Sequence, residues 1–186
     1  MDRIGITYQP RFLIIFGSLF LLLIQIITIL INKKRNKSLN IKKRVIASLF
    51  IIYIYCAIGV TLLPITIYYA DQSFRIIPVV NLVPFQGFTI EKFSTFIGLE
   101  NIFGNLLLLT PLVVFSKLLF EHRLNNLKRC ILLVFVCSLS IEVVQYLEGY
   151  FQLASGRITD ITDIILNTSG GFIGCFIYNT LFKKKI

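Results

Sequence analysis

Glu142, Asp160 and Asp163 are carboxylates set within, or at the edge of, long apolar runs, and Arg157 stands just ahead of the two aspartates. An ionised side chain at the centre of a bilayer costs roughly 2.5–3.5 kcal/mol on insertion scales, so such residues are rare and face a partner or a cavity. Carboxylates placed together can do general acid–base work, ligate a hard cation through oxygen, or hold a cationic group by charge-assisted hydrogen bonds. One arginine cannot neutralise three carboxylates. Either one carboxyl is protonated, or a cation or cationic ligand completes the site. The bland alternative is an arginine–carboxylate network that fixes helix ends, with Asp160 and Asp163 at the positive end of a helix dipole.

Other chemistries find little support. His122 is the only histidine and lies in a basic loop, so a histidine base or a histidine-rich zinc site is not expected. Cys56, Cys130, Cys137 and Cys175 form no C-x-x-C pair and read as small apolar residues. No Ser/His or Cys/His nucleophile arrangement is apparent, no dense metal-ligand motif occurs, and no cofactor is required.

The elements that must position these groups are membrane spans. The 186-residue chain is 56% hydrophobic, with a mean hydropathy of +0.81, and its apolar residues fall in long runs. A transmembrane helix needs about 20 mostly apolar residues. Five stretches qualify: Phe12 to Ile31, broken by Gln25; Val45 to about Ile67, with Pro64 near its end; Ile102 to Phe120, with Asn105 and a kinking Pro111; Cys130 to Leu147; and Asp160 to Phe182. The fold class is all-α, a polytopic helical membrane protein with an interfacial or re-entrant segment. We divide the chain into a two-helix membrane segment, 1–70, and a membrane domain, 71–186. The first run is read as a retained span, since a strongly basic stretch and no A-x-A-like site follows it.

The net charge of +10 is read by location. Seven Lys and Arg lie between spans one and two, four at the junction of spans three and four (Lys117, Arg123, Lys128, Arg129), and three at the C-terminus. Cytoplasmic loops collect Lys and Arg, so the N-terminus is expected outside and the C-terminus in the cytoplasm of a bacterial cell membrane. Nucleic-acid binding is not expected. Anionic lipid headgroups are a second use for the same charges. With this orientation Glu142 lies only roughly 7–8 Å below the outer end of span four. Gln145, Asp160, Asp163, Asn105 and Arg157 fall at the same outer depth.

Ser138, Glu142 and Gln145 share one face of span four. Asp160, Asp163, Asn167, Gly170 or Gly171, and Gly174 line a face of span five, and Gly170 and Gly174 form a G-x-x-x-G pair for close helix approach. Between spans two and three, Pro84 pushes Val83 toward extended backbone, predicting an ordered turn or re-entrant piece at Asn81-Leu-Val-Pro-Phe85. Phe93, Phe96 and Ile97, beside Glu91, Lys92, Ser94 and Thr95, predict a short amphipathic interfacial helix.

These pieces together resemble the VanZ-like family of bacterial membrane proteins. The resemblance runs from about Asn81 to the C-terminus. It rests on Asn81-Leu-Val-Pro-Phe85, Asn101 with Gly104-Asn105 and Pro111, Ser140-Ile-Glu142-Val-Val-Gln145, and Arg157-x-x-Asp160-x-x-Asp163-x-x-x-Asn167-Thr168-x-Gly170. Leu109 and Val113 stand where the family often has Phe and Gly. The resemblance implies a link to reduced susceptibility to teicoplanin and related glycopeptides at the cell envelope.

Three functions follow as expectations. The first is a binding or accessory protein for a lipid-linked wall precursor or lipoglycopeptide, more an accessory than an enzyme. Its ligand-binding set would be Asn81, Asn105, Glu142, Gln145, Arg157, Asp160, Asp163 and Asn167. The second is an intramembrane enzyme acting on a lipid-linked wall substrate, with Glu142, Asp160 and Asp163 as catalytic candidates. The third is a small lipid transporter, disfavoured because no polar residues continue the path through the other half of spans four and five.

Overall fold

A computed structural model describes residues 5–34, 40–68, 77–86, 95–154 and 156–183. Its elements are β1 (Gly5–Tyr8), α1 (Pro10–Lys34), α2 (Ile41–Leu62), β2 (Ile65–Tyr68), β3 (Val79–Asn81), α3 (Phe96–Leu108), α4 (Thr110–Phe120), α5 (Leu127–Tyr150), β4 (Ile158–Asp160) and α6 (Ile161–Leu181). Five helical stretches are long and apolar enough to cross a membrane, with α3 and α4 forming one of them. The chain is a multi-pass, all-α membrane protein.

Pro111 breaks the third span as its chemistry requires. The helix stops at Leu109, which has φ −100° and ψ 3°, and restarts with proline in its first turn. Carbonyls near the break find other donors. The Tyr53 hydroxyl donates to the Leu108 carbonyl at 2.7 Å, and Thr110 Oγ1 donates to the carbonyls of Leu106 and Gly170 at 3.1 and 3.0 Å.

Helix α6 packs closely on both neighbours through its glycines. A Cβ on Gly170 would stand 2.0 Å from the Leu106 carbonyl oxygen, and one on Gly174 would stand 2.6 Å from the Thr110 oxygen and 2.9 Å from Val113 Cβ. The G-x-x-x-G pair therefore seats α6 on the broken third span, while Gly171 meets Val134 of α5. Leu109, Leu112, Val113, Cys130, Val134 and Cys175 make the core. Val113 fills the space that Gly174 leaves open, which explains how the chain carries valine there.

Helix α1 packs on α2 at its margin. Gly17 takes the Tyr55 ring, and Gln25 is satisfied by Ser48 at 2.5 Å and Arg44 at 2.7 Å. Phe16, Leu19, Leu22, Leu23 and Ile26 are exposed, as lipid-facing residues are.

Several expectations change. Span two ends at Leu62, not near Ile67: past Pro64 the β-branched run enters β2, which pairs antiparallel with β1 (Gly5↔Tyr68, Tyr8↔Ile65). Asp160 is not in the helix; it ends β4 and caps α6. Phe96 and Ile97 belong to the first turn of α3 itself rather than to a separate interfacial helix, with Thr95 Oγ1 accepting from the Gly98 N–H at 3.2 Å. Phe93, Glu91, Lys92 and Ser94 lie outside the described residues. The ordered turn after Asn81 is present: the Gln86 N–H reaches the Val83 carbonyl at 3.2 Å.

Candidate functional site

The C-terminal end of α5, the N-terminal ends of α3 and α6, and the C-terminal end of α2 meet at one end of the bundle. A parallel strand pair closes it. In β3–β4, Val79 stands opposite Ile158 and Asn81 opposite Asp160. Residues almost eighty positions apart thereby become neighbours.

Asp160 is the hub. Its Oδ1 accepts from the Thr162 N–H at 2.8 Å, capping α6, and its Oδ2 accepts from Asn81 Nδ2 at 2.8 Å. Its own backbone N–H donates to Glu142 Oε2 at 3.0 Å. Glu142, only 2% exposed, thus fastens β4 to α5. Asn81 Oδ1 accepts in turn from the Val83 N–H at 3.2 Å, and the Phe85 N–H donates to Thr162 Oγ1 at 3.0 Å. The second bond anchors Phe85 in left-handed backbone, φ 59°.

Asp163, in the first turn of α6, accepts from Asn105 Nδ2 of α3 at 2.5 Å. Both aspartates sit at the helix N-terminus, where the backbone dipole favours negative charge. One turn deeper, Asn167 Nδ2 donates to Ser138 Oγ of α5 at 3.1 Å, and both residues are buried.

Arg157 does not pair with this acidic group. Its Nε lies 2.9 Å from Glu148 Oε2, the ion pair among the described residues, and its Nη1 donates to the Thr61 carbonyl at the end of α2. Gln145 Nε2 donates to the same carbonyl at 2.9 Å. The expected arginine–carboxylate network is therefore redirected. Glu148, 4% exposed, takes the arginine and leaves Glu142, Asp160 and Asp163 to amide and backbone donors.

A polar cleft of about 390 Å³ opens here. Gln145, Arg157, Asp160 and Asp163 of the expected set line it, together with Gln86, Asn101 and Leu166. Asn81, Asn105 and Glu142 stand behind the wall and orient the aspartates. Asn167 joins α5 to α6 below the cleft. Glu148 and Gln86 were missed from sequence; Asn101 was legible in the family motif but not as a site residue. Among the described residues, no group of three or more His, Cys, Asp or Glu side chains is arranged to hold a metal ion.

A second cavity of about 210 Å³ adjoins the first, lined by Tyr68, Ile77, Pro78, Val79, Gly149 and Ala154. The two share Gly156, Arg157 and Ile158. A polar cleft and a mainly apolar one therefore lie on either side of one loop.

The model of the VanZ/LLP1 family matches residues 50–183, a span that holds every residue of the cleft and reaches into α2, beyond the motif resemblance. No curated protein and no solved structure matches the chain.

Proposed function

The chain belongs to the VanZ/LLP1 family, and on that premise we propose that its acidic cleft binds the head of an amphipathic envelope ligand at the outer leaflet, lowering susceptibility to teicoplanin-type lipoglycopeptides. The ligand is a lipid-linked wall precursor or the lipoglycopeptide itself. The protein acts as a binding or accessory component and not as a catalyst.

The observation that carries this reading is the pairing of the two cavities across Gly156–Ile158. A molecule with a polar head and an apolar tail has a place for each. Asp160 and Asp163 offer oxygens to a cationic or hydroxyl-bearing head, because Arg157 is already engaged by Glu148. Gln145, Asn101 and Gln86 supply neutral donors and acceptors. Ligand sites of this kind join apolar walls to a few placed polar groups.

The test is teicoplanin susceptibility of a sensitive host expressing the wild type, Asp163→Asn or Glu142→Gln, with membrane levels checked by immunoblot. The wild type raises the inhibitory concentration several-fold. Asp163→Asn loses that protection at equal protein level, since it removes a charge from the cleft wall. Glu142→Gln keeps an acceptor for the Asp160 N–H and so retains more of it. Equal protection by all three proteins would sink the reading.

Two carboxylates on one wall also favour a second reading, acid–base chemistry on a lipid-linked wall substrate. It predicts a chemically altered lipid fraction by mass spectrometry, absent with Asp163→Asn.

A further inference from the structure

At the opposite end of the bundle a cavity of about 310 Å³ lies between α4, the start of α5 and the end of α6. A water's share of liquid volume is about 30 Å³, so a phosphate-sized group fits with room to spare. Lys117, Glu121, Asn125, Leu127, Cys175, Tyr178, Asn179 and Lys183 line it. Lys117 is the unusual member. It is only 6% exposed, and no carboxylate among the described residues lies within ion-pair distance of it. Its ammonium instead stands 4.9 Å from the centre of the Tyr178 ring, a cation–π contact. Tyr178 is itself 1% exposed, and its hydroxyl is buried with Glu121 as polar neighbour but with no hydrogen bond of standard geometry. A buried lysine is costly without a counter-charge. The ends of α4 and α6 give it the negative ends of two helix dipoles, which stabilise it in part.

We propose that this cavity binds a phosphate group, supplied by the phosphodiester head of an anionic phospholipid in the leaflet it faces. Lys117 is the buried anchor, Lys183 the cation at the rim, and the Asn125 and Asn179 amides neutral donors. Glu121, the one carboxylate on the lining, leaves a surplus of one positive charge. That balance suits a phosphodiester, which carries one negative charge. The cavity lies where the spans end, at headgroup depth, with Leu127 and Phe120 exposed beside it. In sequence Lys183 is followed by Lys184 and Lys185, charges of the same sign.

The experiment uses the full chain in a neutral detergent. Native mass spectrometry and thermal unfolding are read with phosphatidylglycerol, phosphatidylcholine or inorganic phosphate. Phosphatidylglycerol is expected to stay bound and raise Tm, and phosphatidylcholine to do neither. Lys117→Gln is expected to weaken retention at least about tenfold, the scale of one charge-assisted bond. Lys183→Gln, an exposed position that should fold in any case, is expected to weaken it less and decides the matter if Lys117→Gln does not accumulate. Stabilisation by inorganic phosphate equal to that by phosphatidylglycerol would support the phosphate site and assign it to a free anion. Equal retention of both lipids, or identical retention by the wild type and Lys183→Gln, would overturn it.

Discussion

At the scale of single residues, the site depends on which charge faces which. Arg157 sits three positions before Asp160, yet it bonds to Glu148 and to the Thr61 carbonyl. Glu148 is buried, so removing its partner leaves a charge without compensation, at a cost of about 3–5 kcal/mol. Arg157→Gln should therefore lower stability by about 3 kcal/mol in detergent unfolding. The double variant Arg157→Gln, Glu148→Gln should recover much of the loss, because it leaves no buried charge behind. A single variant as stable as the wild type would show the pair to be dispensable. Sequence revealed Glu142 and the aspartates because charge inside an apolar run is conspicuous. It did not reveal Glu148, which lies about 120° around α5 from Glu142 at 3.6 residues per turn. Only the reversal of the chain after Tyr150 brings Arg157 to that side. The acceptors of Arg157 and Gln145 were hidden for a similar reason, since a backbone carbonyl at Thr61 has no signature in residue type.

At the scale of elements, the glycines of α6 and the proline of the third span were legible, and the strands were not. G-x-x-x-G spacing predicts close approach, and Gly170 meets Leu106 backbone while Gly174 meets Thr110. Strands of three or four residues carry no periodicity of their own, and β3 and β4 pair across most of the C-terminal half. Yet β3–β4 holds Asn81 against Asp160. Gly170→Ala tests the helix contact. Its Cβ would meet carbonyl oxygen at 2.0 Å, and backbone cannot turn aside as a side chain can. We expect a loss of about 3 kcal/mol or more, the upper end for overpacking, and displacement of Asp163 from Asn105. Gly171→Ala meets the Val134 side chain at 3.0 Å and should cost less. Gly104→Ala meets nothing within 4 Å and should be neutral or stabilising by up to about 1 kcal/mol. Thermal unfolding of the three variants in one detergent gives the order, and an equal effect at Gly170 and Gly104 would refute the packing argument.

At the scale of the whole molecule, the two ends of the bundle differ in chemistry. One gathers Glu142, Asp160 and Asp163; the other gathers Lys117, Lys128, Arg129 and Lys183. This separation follows from alternation. Each span reverses the chain, so the ends of α2 and α5 and the starts of α3 and α6 must share a side. The convergence of the polar residues was therefore readable once the spans were counted, although their individual bonds were not. The distribution of Lys and Arg predicts that the acidic end faces outward, and labelling can decide it. Asn101 on the acidic cleft and Asn125 on the basic cavity are both exposed. In a background with Cys56, Cys130, Cys137 and Cys175 replaced, Asn101→Cys should react with a membrane-impermeant maleimide on intact cells. Asn125→Cys should react only after permeabilisation. The reverse pattern would turn the molecule over. It would put the acidic cleft in the cytoplasm, where no extracellular glycopeptide reaches it, and give the basic cavity an outer-leaflet lipid.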